Sequence, residues 1–216
     1  LRGVLLGLGL PVDEPRAHTQ ACPKCWAHLD TPLFCESCQA LLEPNERPTP
    51  FQVLGVDTGY GLDVMALRKR LLALSRRMHP DFYGGAEASA RALAERNTAE
   101  LNSAFEILAD DVRRADWLVT SLGGPRESEE RSTPSEFLAE VLEWNEAIEA
   151  GRAAASDSPA RAELRALARA LESRRAEAMG SIGALLEPLP ALRSPHLLTA
   201  RRQLNDLPDE LWTKVK

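Results

Sequence analysis

The chain has 216 residues, of which 44% are hydrophobic and 27% charged, and it carries a formal net charge of −6. That length suits one to three small domains rather than one large enzyme core, and no apolar run approaches the ~20 residues that cross a bilayer. The acidic balance excludes non-specific binding to nucleic acid, which needs a basic surface to neutralise phosphates. Aromatic residues make up only 5% of the chain, while Ala, Leu, Glu and Arg dominate, so helix is favoured over strand.

Residues 1–20 open with the apolar run LRGVLLGLGL, followed by Asp13 and Glu14. They lack the Ser- and Arg-rich, acid-poor character of a transit peptide and are expected to form a poorly ordered leader. Residues 21–43 hold all four cysteines, as Cys22-Pro-Lys-Cys25 and Cys35-Glu-Ser-Cys38. Two C-x-x-C knuckles can bring four thiolates to one tetrahedral ion, and the spacing points to one structural zinc per chain. Two local disulfides, or a redox C-x-x-C, are the alternative. His28 lies inside the loop but is left out of the ligand set, because four cysteines fill the shell. A closed shell of four thiolates has no open position for catalysis. About twenty residues bury little core, so the metal supplies most of their folding energy. Pro44, Pro48 and Pro50 then read as a linker, and chelation is expected to unfold residues 21–42 with the helices nearly unchanged.

A helical domain is expected over residues 48–123. Within 63–78, Val64, Leu67, Leu71, Leu74 and Met78 form one stripe, with Lys69 and Arg76 opposite. This segment holds Arg68, Lys69, Arg70, Arg76 and Arg77 against Asp63 alone, so it is locally basic. Within 86–109, Ala90, Leu93, Leu101, Ala104, Phe105 and Leu108 recur at helical spacing. Two such helices joined by a short loop hide their stripes against each other as a hairpin. His79-Pro80-Asp81 occupies that loop. Pro80 ends the helix and disfavours the α region at His79, which presents the tripeptide rigidly beside the basic face.

Residues 134–213 read as a three-helix bundle. Phe137, Val141, Trp144 and Ile148 mark the first helix. Leu164, Leu167, Leu171, Ala178, Ile182 and Leu185 mark the second. Leu197, Leu198, Leu204 and Leu207 mark the third, stopped near Pro208. Residues 127–149 carry eight acids against Arg131, so the basic and acidic segments suggest two different partners. Leu138 and Leu142 read either as a contact strip or as a second stripe of bundle core. Glu143 and Glu146 read either as its acidic edge or as solvated charge.

The tripeptide after a basic helix resembles a J domain, the module through which DnaJ-type co-chaperones stimulate 70-kDa heat-shock chaperones. Phe51-Gln-Val-Leu54-Gly55-Val56, Asn102-Ser-Ala104-Phe105-Glu-Ile-Leu108, Arg114 and Trp117 resemble further J-domain positions, with Asp111 where a proline is common. A J domain followed by an acidic bundle resembles the HscB family, the co-chaperones dedicated to iron–sulfur cluster assembly. The four cysteines and Phe82 resemble its zinc-bearing subgroup, which includes the mitochondrial form. The resemblance implies an all-α fold: a J-domain helical hairpin and a C-terminal three-helix bundle, preceded by a small four-cysteine zinc module. It implies that His79, Pro80, Asp81, Lys69, Arg76 and Arg77 meet the chaperone. It implies that Leu138, Ala139, Leu142, Glu143 and Glu146 meet the cluster scaffold protein, with Ala139 smaller than the Met or Ile often found there. The expected function is that of a non-enzymatic co-chaperone that binds the scaffold, delivers it to the chaperone and stimulates its ATPase, with no nucleic-acid or membrane partner. The expected compartment is the bacterial cytoplasm, with the mitochondrial matrix as the alternative. Two other readings are a general J-domain co-chaperone for unfolded clients and an enzyme using His79 and Asp81 as an acid–base pair. Adjacent residues fixed by a proline do not readily converge on one substrate, which argues against the enzyme.

Overall fold

The computed structural model describes residues 21–85, 87–130, 135–207 and 209–215. The leader expected over 1–20 and the expected stop at Pro208 lie outside the described residues. Among the described residues the regular structure is helical: α1 (Pro50–Leu54), α2 (Val64–Met78), α3 (Ala88–Ala109), α4 (Asp111–Ser121), α5 (Ser135–Ala153), α6 (Pro159–Leu186), α7 (Pro195–Asn205) and α8 (Asp209–Val215). Short 3₁₀ turns lie at Pro80–Tyr83 and Glu127–Glu129, and isolated bridges join Ala21 to His28 and Phe34 to Leu41. The chain divides into two compact units. One is the chain up to Thr58 with Ala66–Phe105, and the other is Gly59–Met65 with Glu106–Lys216.

In the first unit, α1 is short but fully capped. Thr49 Oγ1 accepts from the Gln52 amide, and the Gln52 side chain accepts from the Thr49 amide at 2.8 Å, a reciprocal capping box. Pro50 opens the helix, where its missing N–H costs nothing. Gly55 closes it at φ +64°, and a Cβ there would stand 2.1 Å from the Asp30 carbonyl oxygen, so only glycine fits. The hairpin expected from the two stripes is present. Leu67, Leu74 and Met78 of α2 are buried, as are Ala94, Leu101 and Ala104 of α3, and Thr98 Oγ1 donates to the Met78 carbonyl. Val64, at the start of α2, is exposed rather than inward.

The cysteine module is not hinged freely by its proline linker. Asn97, buried within α3, donates through Nδ2 to the Leu33 carbonyl at 3.0 Å and the Leu42 carbonyl at 2.9 Å. Thr31 Oγ1 donates to the Val53 carbonyl of α1 at 2.8 Å. Leu33 and Phe34 are buried beside buried Cys35. The module has a small core of its own, Cys22, Leu29, Cys35 and Leu42, and buried hydrogen bonds join it to α1 and α3, so it is docked rather than loosely tethered.

In the second unit, the long α6 touches α4, α5, α7 and α8. Ile148, Leu164, Leu171 and Leu211 form a core, with Val141, Trp144, Leu167 and Trp212 packed against it. The three expected helices are α5, α6 and α7. The seven-residue α8, too short to show a period, adds Leu211 and Trp212 to that core. Towards its end α6 buries Met179, Ile182 and Leu186 rather than Ala178 and Leu185, so the inward stripe runs one residue further along than the spacing suggests.

Buried arginines tie this unit together. Arg114 donates to the carbonyls of Tyr60 and Leu108 and stacks on the Tyr60 ring at 5.0 Å. Arg201 of α7 donates to the Pro125 carbonyl at 2.9 Å and pairs with Asp116 of α4 at 2.5 Å. Asp111, standing where a proline is common, opens α4 and takes both terminal nitrogens of Arg175, at 2.6 and 3.2 Å. Burial alone would raise the Asp111 carboxyl, but the Arg175 hydrogen bonds and charge outweigh it and hold it below the usual range.

Replacing Asn97 by Ala removes both donors to the module and leaves the buried Leu42 carbonyl without this partner. The expected outcome is a loss of about 2 kcal/mol, seen as a melting temperature roughly 4–8 °C lower. Thermal melting of the metal-loaded variant checks this, and an unchanged melting temperature contradicts a stabilising role for the Asn97 bonds.

Candidate functional site

The four cysteines converge. Their sulfurs all lie within 4.8 Å of one another, with Cys22 Sγ to Cys38 Sγ at 3.7 Å and Cys25 Sγ to Cys35 Sγ at 3.6 Å. A tetrahedral ion held by thiolates at about 2.3 Å has sulfur–sulfur edges of about 3.8 Å, so the cluster fits a metal ion. None of the four is in a disulfide, and their separations far exceed the ~2.05 Å of that bond. The knuckles themselves are built by backbone bonds: Trp26 N–H donates to the Cys22 carbonyl, Cys22 N–H to the Ala27 carbonyl and Cys35 N–H to the Ala40 carbonyl. Burial opposes ionisation of Cys22, but the amides of Lys24 and Cys25 outweigh it and hold that thiol down at about 7. Burial and the neighbouring thiols push Cys38 up to about 12. Four thiolates in one cluster need a cation to ionise together, and a bound dication supplies it.

The His79-Pro80-Asp81 tripeptide forms the start of the first 3₁₀ turn. His79 is extended, at φ −60° and ψ 130°, as a residue before proline should be. Its Nδ1 accepts from the Asp81 amide at 3.3 Å, and its carbonyl accepts from the Phe82 amide at 3.0 Å. The loop is thus held by its own bonds, with His79, Asp81 and Phe82 exposed. The Phe82 ring meets the His79 imidazole edge to face, centroids 6.4 Å apart.

The basic residues of α2 divide. Lys69 and Arg76, seven positions apart and so on one face, are exposed, as is Arg68. Arg77, expected to share their role, pairs with Glu36 Oε1 at 2.5 Å. Arg70 donates to the Leu54 carbonyl at 3.2 Å and lies 3.8 Å from Asp30 and 3.9 Å from Glu36. The Arg77 hydrogen bond holds the Glu36 carboxyl below its ordinary range, against the effect of burial. Nothing in the sequence signals this pairing, since Glu36 reads there as a solvated charge between two ligands.

On α5, Leu138 and Leu142 are 54% and 67% exposed. They do not complete the core, which takes Val141, Trp144 and Ile148 from the adjoining stripe of the helix. Ala139, Glu143 and Glu146 are exposed as well, and the five share an arc of about 140° at roughly 100° per residue. The helix is braced by Arg174, whose guanidinium stacks on Phe137 at 5.5 Å and Trp144 at 5.2 Å and pairs with Glu140 at 2.8 Å.

A family model described as the HSCB C-terminal oligomerisation domain matches residues 133–206. The "Co-chaperone protein HscB homolog" of Bordetella avium is 30% identical over 138 residues, covering 63% of this chain and 79% of the relative. The "Iron-sulfur cluster co-chaperone protein HscB" of mouse is 25% identical over 214 residues, covering 95% of this chain and 88% of the relative. Among solved structures, "Chaperone HscB from Vibrio cholerae" superposes with a TM-score of 0.62 at 26% identity, covering 78% of this chain and 95% of that one. A J-domain hairpin with a C-terminal helical bundle and this set of relatives define a co-chaperone. The chain belongs to the HscB family. Its relatives are named co-chaperones rather than enzymes, and none of the described helices is long and apolar enough to cross a membrane.

Because buried Asn97 bonds two carbonyls of the cysteine module, removing the metal is expected to act beyond residues 21–42. Chelation should lower the melting temperature of the hairpin, by an amount comparable to Asn97→Ala, and expose the Asn97 region to amide exchange. Hydrogen exchange with and without chelator measures this. Loss of protection confined to residues 21–42 contradicts it.

Proposed function

We propose that this protein is a non-enzymatic adaptor that carries an iron–sulfur cluster scaffold protein to a 70-kDa heat-shock-type chaperone and stimulates the chaperone's ATPase. The observation that carries the reading is the pairing of two exposed surfaces on separate compact units. One is the His79-Pro80-Asp81 turn at the end of a helix showing Lys69 and Arg76. The other is the Leu138–Leu142 strip with Ala139, Glu143 and Glu146. The first suits an acidic chaperone surface and the second a basic-edged client, since complementary charge steers encounter and fixes register.

The chemistry is differential binding. The tripeptide, rigid and backbone-anchored, favours the hydrolysing, tightly clamped chaperone state over the open one, and can shift that equilibrium only by its difference in affinity for the two. The client strip brings the scaffold to the chaperone at the moment of that shift. Apolar anchors carry the client contact and charged residues form its rim. Exposed Leu138 and Leu142 support this over a core role. The mouse relative is named for iron–sulfur clusters, and this favours a dedicated scaffold over unfolded clients in general.

The ion of the four-cysteine centre is zinc, one per chain, held by Cys22, Cys25, Cys35 and Cys38. Bound there it closes the shell and serves structure, holding Glu36 and the carbonyls of Leu33 and Leu42 in place. Elemental analysis of purified protein tests it.

Two variants should separate the two halves of the function. His79→Gln, in an exposed turn, should keep the fold and scaffold affinity but abolish ATPase stimulation. Leu138→Ala with Leu142→Ala should melt as the parent does and still stimulate the chaperone without scaffold. Its scaffold dissociation constant should rise at least tenfold, about 1.4 kcal/mol. Calorimetric binding and steady-state ATPase on both variants check this. Full scaffold affinity in the folded double variant contradicts the placement of the client site, and unchanged stimulation by His79→Gln contradicts the chaperone reading.

A further inference from the structure

Five bases lie along α2, but the structure does not offer all five to a partner. Arg70 is turned inward, to the Leu54 carbonyl at 3.2 Å, Asp30 at 3.8 Å and Glu36 at 3.9 Å. Arg77 sits at the last turn of the helix, two residues before His79, where any partner of the tripeptide must pass. Its guanidinium is taken by Glu36 at 2.5 Å. Glu36 lies between the ligands Cys35 and Cys38, so the metal knuckle fixes where its carboxylate stands. Gln39 Nε2 donates to the Glu36 carbonyl at 2.7 Å and further fixes this backbone. The side chains of Arg77 and Glu36 are 42% and 40% exposed, so the pair stands at the surface, within reach of an arriving acidic group.

We infer that Glu36 of the metal module masks Arg77, so that the module sets how much positive charge the chaperone-docking face presents. This rests on the reading of α2 and the tripeptide as that face. With the knuckle intact, Arg68, Lys69, Arg76 and Arg77 are all exposed, but Arg77 is paired with Glu36 and that pair is close to neutral. An ion pair this exposed is weak and screened by salt, so its masking of Arg77 is strongest at low ionic strength. When the knuckle opens, Arg77 and Arg70 lose the Glu36 carboxylate together, and the face becomes more basic. The masking acts on association and salt dependence more than on the fold, as charges at the rim of an interface do. The partner it fits is an acidic protein surface, and a face with fewer free charges is more selective among such surfaces.

The test is a double-variant cycle on the full metal-loaded chain: wild type, Glu36→Gln, Arg77→Gln and both together, with metal content measured for each. Affinity for the ATP-bound 70-kDa chaperone is read at about 50 and about 300 mM salt. Glu36→Gln should tighten binding by about threefold at the lower salt and by less at the higher. Arg77→Gln alone and the double variant should stay within about twofold of wild type. Glu36→Ser removes the same charge with a different side chain and should behave as Glu36→Gln does. A Glu36→Gln protein that binds as wild type does, or whose gain persists without Arg77, overturns the inference while leaving the co-chaperone reading standing. So does an Arg77→Gln protein as impaired as Lys69→Gln, because Arg77 would then dock with Glu36 in place. Failure of wild type to bind the chaperone at all overturns both.

Discussion

The side-chain amide of Asn97 is the joint on which the first unit depends. One buried NH₂ group bonds two carbonyls of the second cysteine loop, at Leu33 and Leu42, and Leu42 N–H closes that loop onto Leu33. A module of about twenty residues has too little apolar surface to fold alone. Here it gains stability from two sources, four thiolates able to hold an ion and a helix that already has its own stripe to bury. Each would support the other: an ion held by the four thiolates would fix the carbonyls that satisfy Asn97, and Asn97 holds the loop that carries Cys35. Asp30 pressed against Gly55 and Thr31 bonded to Val53 extend the same joint to α1.

Arginine is used in two ways in this chain, and its surroundings decide which. Arg114, Arg175 and Arg201 are drawn into packing, where the planar guanidinium meets carbonyls, carboxylates and ring faces together. Their partners are fixed, so they hold α4, α6 and α7 in register. Arg76 and Lys69 stay in solvent and are available for charge steering. Asp111 shows how one substitution against the family pattern is absorbed. A proline there would have served only as the first helical residue, whereas the aspartate, beside the capping Asp110, also anchors Arg175 of α6.

Much of this was legible in the residues. The paired C-x-x-C spacing located the sulfur cluster, because four thiolates at those intervals leave few other arrangements. The two stripes and Pro80 gave the hairpin and its turn. Where one helix carried two apolar stripes, as at Phe137–Ile148 beside Leu138 and Leu142, periodicity could not say which faced inward. Packing against Leu164, Leu171 and Leu211 decided it. Asn97 was invisible because a polar residue in an amphipathic helix reads as its solvated side, and its carbonyl partners carry no side-chain signature. The pairing of Glu36 with Arg77 was hidden in the same way, by distance along the chain and by the ordinary look of both residues. The linker prolines misled in a definite respect: they end helices but say nothing about whether the segment before them docks.

The proposed function couples client arrival to chaperone hydrolysis through two separate surfaces on one chain. The most direct measurement is the steady-state ATPase rate of the 70-kDa chaperone with this protein alone, with a cluster scaffold alone, and with both. The rate with both should exceed the sum of the two separate increments if the client and the tripeptide act on the same chaperone equilibrium. A rate that is merely additive, or that falls when the scaffold is added, contradicts it.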